Sequence, residues 1–267
     1  MLKDITMGQY YPADSVVHRL DPRMKIILTV LVIVSVFMVH GLVGYALVLG
    51  FIYLASRLAN IPFKLLVRGL RPLRFILILT FLLNLLFSTG ETILIHWGII
   101  KITQEGLSQA VHYSLRLMFL VIGTSMLTLT TSPVSLADGL GRLLSPLKKI
   151  GFPAHELAMM MTIALRFIPT LLEETDKIMK AQMARGADFE SGNLLQRAKA
   201  MVPLLVPLFV SAFRRAGDLA MAMEARCYHG GDHRTRLRVM KITRYDWYAF
   251  LLVLALIGLI VLEGILL

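Results

Sequence analysis

Apolar residues in this chain come mostly in long blocks divided by short charged stretches, with little of the alternation that marks a sheet. Five blocks are long enough to cross a bilayer, for which roughly 17–25 helical residues are needed. They are Met24–Val39, Leu42–Leu58, Leu73–Thr89, Leu107–Thr131 and Tyr245–Leu267. Only His40 and Gly41 separate the first two, which predicts a tight helical hairpin. In the second block Ala46 and Gly50 lie one turn apart, a small-residue pair that predicts close helix packing.

From Ser132 to Arg244 the pattern changes. A short amphipathic helix is expected over 134–149, stopping at Gly151. A helical pattern then runs from Pro153 to Arg185, about 50 Å at 1.5 Å per residue, with a kink expected at Pro169. Gly186 stands where a helix C-cap favours a residue free to take positive φ. A second long pattern runs from about Asn193 to Arg226, with kinks expected at Pro203 and Pro207. Its first half, "MVPLLVPLFVSAF", is apolar nearly all round. Its second half sets Arg214, Arg215, Asp218 and Glu224 among the small residues Ala212, Ala216, Gly217, Ala220 and Ala222, which predict a close crossing by the preceding long helix. The expected fold is all-α and polytopic. A transmembrane bundle occupies residues 1–131, three helices (about 134–149, 153–185 and 193–226) fill 132–244, two of them long and crossed, and a last membrane helix covers 245–267.

Composition supports a bilayer protein: 57% of the 267 residues are hydrophobic and the mean hydropathy is +0.70, against about 45–50% apolar in soluble domains. The net charge of +11 adds orientation. Arg19, Arg23 and Lys25 precede the first block, and Arg57, Lys64, Arg68, Arg71 and Arg74 fill the connection before the third, whereas the His40 turn and Gly90–Gly106 carry only Lys101. The positive-inside rule then predicts a cytoplasmic N-terminus, a cytoplasmic 132–244 and a C-terminus outside. No nucleic-acid motif accompanies the charge, so nucleic acid is not an expected partner. The first two dozen residues are polar and do not read as a cleaved signal peptide. The single Cys227 excludes an internal disulfide, and the paired cysteines of a structural zinc site are missing.

Catalytic chemistry finds little support. "HELAM" at His155–Met159 begins like a zinc-binding H-E-x-x-H but has Met at the second ligand position. "HGGDH" offers His229, Asp232 and His233 in a glycine-rich turn, with metal binding the minor reading. No P-loop occurs, so any energy must come from a partner. His112 and Arg116, one turn apart in the fourth block, are read as snorkelling to the outer interface, with a functional role as the alternative. Asn84 in the third block is read as an interhelical hydrogen bond. Many of the 15 methionines fall in 132–244, as core filler or as a surface able to repack against several partners.

Two stretches remain, "AQMARGADFE" and "AMEARCYHGG", each ending a long helical pattern in a small residue, an arginine and another small residue. Arg185 and Arg226 can offset the negative helix end or offer a planar fork of donors to another protein. The small flanks Ala184, Gly186, Ala225 and Cys227 would let a helix tip enter a groove. These stretches, with "GQYYPADSVVHRLDPRMK", "ALRFIPTL" and "AMEARCYHGGDHRT", resemble the T components of energy-coupling factor transporters, importers of vitamins and metal ions in the prokaryotic cell membrane. The second motif departs mildly, with Cys227 where the family pattern has glycine.

The resemblance implies a non-catalytic scaffold that binds no cofactor of its own. Ala184, Arg185, Gly186, Ala225, Arg226 and Cys227 would dock on two ATP-binding cassette ATPases, which carry the ATP and Mg. The apolar faces of the coupling helices would hold a substrate-binding membrane S component, one or several interchangeably. A dedicated cobalt, nickel or biotin system is the nearer alternative, and a membrane enzyme the remoter one.

Overall fold

The computed structural model describes residues 10–88, 92–97, 100–189, 193–228, 230 and 240–266. In chain order the elements are α1 (Val16–Arg19), α2 (Pro22–Phe37), α3 (Leu42–Leu58), α4 (Phe63–Arg68), a 3-10 turn at Arg71–Leu73, α5 (Arg74–Phe87), β1 (Ile93–Trp97), β2 (Ile100–Thr103), α6 (Gln104–Thr130), α7 (Pro133–Leu143), a second 3-10 turn at Ser145–Ile150, α8 (Ala154–Ala184), α9 (Leu194–Glu224) and α10 (Arg244–Leu266). The fold is all-α and polytopic, with one antiparallel hairpin among the described residues, Ile95 opposite Ile102 and Trp97 opposite Ile100, between α5 and α6. Among the described residues, five helical stretches are long and apolar enough to cross a membrane by length and composition: Phe63–Phe87, Gln104–Thr130, Ala154–Ala184, Lys199–Glu224 and Arg244–Leu266. That set includes both long helices of 132–244, while Leu42–Leu58 counts as a shorter apolar helix.

The chain divides into two compact units, one ending at Gly139 and completed by the C-terminal helix, the other beginning at Leu140. In the first, α2, α3, α6 and α10 surround a core that includes Val36, Val48, Ile52, Phe119, Ile122 and Ile260. Tyr45 stacks on Phe119 with ring centroids 5.9 Å apart. The outward faces remain apolar, with Phe75 at 74% and Phe87 at 77% exposure, and α5 has no buried residue. Such surface suits lipid and not water.

Local starts and stops follow sequence chemistry. Asp21 caps α2 by accepting from the Arg23 N–H, with Pro22 in the first turn, where a missing N–H costs nothing. Thr103 caps α6 through the Gly106 N–H at 3.1 Å. In the first turn of α10, Asp246 accepts from the N–H and hydroxyl of Thr243, at 2.6 and 2.8 Å, and so holds the residue that precedes the helix.

Two packing expectations are corrected. Ala46 and Gly50 are exposed, and a Cβ on Gly50 would meet nothing within 4 Å. The buried stripe of α3 runs through Gly44, Tyr45, Val48, Ile52 and Ser56, so the close approach falls at Gly44, whose N–H donates to Glu263 Oε1 at 2.8 Å. Asn84 donates to the Thr80 carbonyl one turn back in its own helix, not to a neighbour. Arg116 lies 5.6 Å from the Phe37 ring and 5.7 Å from that of Tyr113, and His112 bonds the Ser108 carbonyl of its own helix.

Both ring nitrogens of His18 are engaged: Nε2–H donates to the Tyr11 carbonyl at 2.9 Å, and Nδ1 pairs with the Ser15 hydroxyl at 2.7 Å. Burial pushes its pKa down, against smaller upward contributions from backbone bonds. A depressed pKa means that the unfolded chain binds the proton first. Stability is therefore full above the unfolded value of about 6.5 and falls as pH drops through the folded one. Thermal unfolding in detergent between pH 8 and 5 should show that loss in the wild type and a flatter profile in His18→Gln.

Candidate functional site

The second unit is organised around α8 and α9. Glu174 of α8 forms an ion pair with Arg215 of α9 and accepts from the Ser211 hydroxyl at 2.7 Å. Farther along α8, Gln182 Nε2 donates to the Pro203 carbonyl at 3.4 Å. That carbonyl is free because the residue four positions on is Pro207, which has no N–H to give. Residues 174 and 182 thus meet 211–215 and 203, a descending order that makes the two helices antiparallel.

Half-buried positions of α9 include Leu204, Pro207, Leu208, Ser211, Ala212, Arg215, Leu219 and Met223, one stripe at helical spacing. Ala216, Gly217, Ala220 and Ala222 fall off that stripe and are exposed, and a Cβ on Gly217 would meet nothing within 4 Å. Of the five small residues expected to seat α8, Ala212 lies on the stripe and the other four do not. The contact is polar, through Glu174, Ser211 and Arg215, and it was invisible in either helix alone because neither pattern reveals the register between them.

Both tips close with the same backbone motif. The Gly186 N–H donates to Met183 and the Ala187 N–H to Gln182, each at 3.0 Å. At the second tip the Cys227 N–H donates to Glu224 at 2.8 Å and the Tyr228 N–H to Met223 at 3.1 Å. This is the Schellman arrangement, which requires a left-handed residue just past the cap. Gly186 takes it at φ 88° and Cys227 at φ 54°. Arg185 and Arg226 therefore hold equivalent cap positions, flanked by Ala184 and Ala225, and all six residues of the two motifs are exposed. Neither guanidinium has a hydrogen bond or ion pair among the described residues. The Gln182, Met183, Met223 and Glu224 carbonyls of the last turns already accept from backbone N–H groups. Each arginine lies eleven residues beyond the Glu174–Arg215 pair, about 16 Å along its helix. Since the helices are antiparallel, the two tips point away from the pair in opposite directions.

No group of three His, Cys, Asp or Glu that could hold a metal occurs among the described residues. His229, Asp232 and His233 lie outside them.

A left-handed conformation costs a non-glycine residue about 1 kcal/mol or more, so the second tip is the looser one. Cys227→Gly should slow amide exchange at 227 and 228 about fivefold, and Gly186→Ala should speed it at 186 and 187 by a similar factor, as read by hydrogen–deuterium exchange.

Residues 13–237 match the family model described as "Cobalt transport protein". A protein of Thermosediminibacter oceani is 58% identical over 250 residues, covering 94% of each chain. One of Clostridium kluyveri is 53% identical over 266 residues, 99% of this chain and 98% of its own. One of Bacillus subtilis is 50% identical over 246 residues, 92% and 93%. All three are named energy-coupling factor transporter transmembrane protein EcfT.

Proposed function

Since the chain belongs to the EcfT family, the transmembrane T components of energy-coupling factor transporters, we propose that it couples ATP hydrolysis in two partner subunits to movement of a substrate-binding membrane protein. It is a multi-pass membrane component of a transporter. In this reading α8 and α9 lie on the cytoplasmic side, despite being apolar enough to span. Both carry charges along their length: Glu173, Glu174, Asp176, Lys177 and Lys180 on one, Arg197, Lys199, Arg214, Arg215 and Asp218 on the other. The N-terminus is cytoplasmic and the C-terminus outside.

One observation carries the docking role. Two helix tips closed by the same cap motif expose arginines whose guanidinium groups have no partner among the described residues. Arg185 and Arg226, with Ala184, Gly186, Ala225 and Cys227, each enter a groove on one ATP-binding cassette subunit, where the guanidinium meets carboxylates or carbonyls. Those subunits bind ATP and Mg and hydrolyse the nucleotide. The exposed apolar side of α9, with Val206 at 59%, Phe209 at 60% and Phe213 at 75% exposure, holds the S component, and uptake serves vitamins or other micronutrients. A dedicated metal-ion system stands as the second reading, favoured by the description of the matching family model.

A charge-assisted hydrogen bond contributes about 1.5–3 kcal/mol. Arg185→Ala or Arg226→Ala should thus weaken capture of the ATPase pair at least about tenfold, and the double variant should abolish it, with membrane insertion unchanged. Copurification with tagged ATPases measures this. Full assembly and ATP-dependent uptake by the double variant would refute the docking role.

A further inference from the structure

The chain leaves the long helices of the bundle at the end of α6, Thr130, and returns to them at the start of α10, Thr243. Both are fastened to one short segment, Asp21–Lys25. Lys25, only 6% exposed, donates through Nζ to the Thr130 carbonyl at 2.8 Å and to the His18 carbonyl at 3.1 Å. The ammonium thus serves the open carbonyl end of α6, where helix polarity also favours a cation. Asp246, fully buried, accepts from the Asp21 N–H at 2.8 Å through Oδ1 and holds Thr243 through Oδ2. Asp21, 5% exposed, is in turn gripped by Arg23 Nε and Nη2 at 3.1 and 2.9 Å.

We infer that Lys25, Asp21 and Asp246 are positioning residues that lock together the two points where the coupling helices leave and re-enter the bundle, so that a stroke delivered at the tips displaces the helices and not their mounts. The inference rests on the coupling role proposed above. Its physical basis is rigidity. Helix ends fray when their terminal groups are served only by water, and a lever on a yielding mount dissipates its stroke. Here both ends are held by buried, charge-assisted bonds converging on residues four apart. A cluster that served folding alone would have no bearing on motion in the assembled, hydrolysing complex.

The test uses the full complex, T component with both ATPases and an S component, in lipid nanodiscs. Spin labels at exposed Thr128 and Tyr248 report the distance between the end of α6 and the start of α10, without nucleotide and after trapping with ATP and vanadate. In the otherwise unaltered protein the two distributions should coincide within about 1 Å. Lys25→Met should keep ATP hydrolysis but broaden the trapped distribution about twofold, and Lys25→Arg, which retains donors and charge, should restore it. Should Lys25→Met fail to fold, Thr243→Val decides by the same readout, since it removes one donor to Asp246 and leaves the backbone bond. A mount that moves on trapping in the unaltered protein, or stays equally narrow in every variant that folds, overturns the inference. A complex in which the Arg185 and Arg226 double variant still binds its ATPases would instead overturn the docking role.

Discussion

A primary ammonium removed from water costs several kcal/mol unless oxygen acceptors replace its hydration. Lys25 meets that constraint with the carbonyls of His18 and Thr130. The requirement runs both ways, because the last carbonyls of a long apolar helix also lack donors where the chain turns away. One buried cation therefore answers the end of α1 and the end of α6 together. Around it, the Tyr11 N–H donates to the Leu129 carbonyl and Asp246 draws α10 onto the start of α2. The apolar core sets which faces meet. This polar knot sets where the helices begin and end.

The pair α8 and α9 works differently. Neither long helix buries much of itself: α8 has two fully buried residues, Ala154 and Ala158, and α9 none among its described side chains. Hydrophobic burial between them is too small to define their register, so directional contacts do so: an ion pair with a hydroxyl at Glu174, and a side-chain amide answering the carbonyl that Pro207 leaves open. Much apolar surface remains uncovered on α9, more than a helix pair in water would tolerate.

Block hydrophobicity made the all-α membrane class legible in the sequence, and the start of α2 could be read from Asp21-Pro22 once a helix was expected. The left-handed cap at Gly186 was equally readable, since glycine after a helical run signals it. Its twin at Cys227 was not, because a cysteine carries no such signal and only the matching arginine hinted at it. Charges were read by one rule only: Arg23 and Lys25 were counted as cytoplasmic markers, and in the fold Arg23 also grips the buried Asp21 two residues back, while Lys25 bonds the Thr130 carbonyl 105 residues on. Asp246, 225 residues from Asp21, could not be tied to it from spacing. Small residues misled twice, at Ala46–Gly50 and along Ala216–Ala222, since a small-residue motif says that close approach is possible and not on which side it happens. Pro169, Pro203 and Pro207, where kinks were expected, lie inside α8 and α9 and end neither helix.

The equal spans from the Glu174–Arg215 pair to the two cap arginines carry an evolutionary corollary. Inserting or deleting one residue in either span would swing its guanidinium by about 100° around the helix axis, while shifting it only about 1.5 Å along it. Direction is thus far more sensitive than reach. Length changes in these spans are tolerable only in near-whole turns, so the chain between pivot and tip should drift freely in composition while its residue count stays frozen.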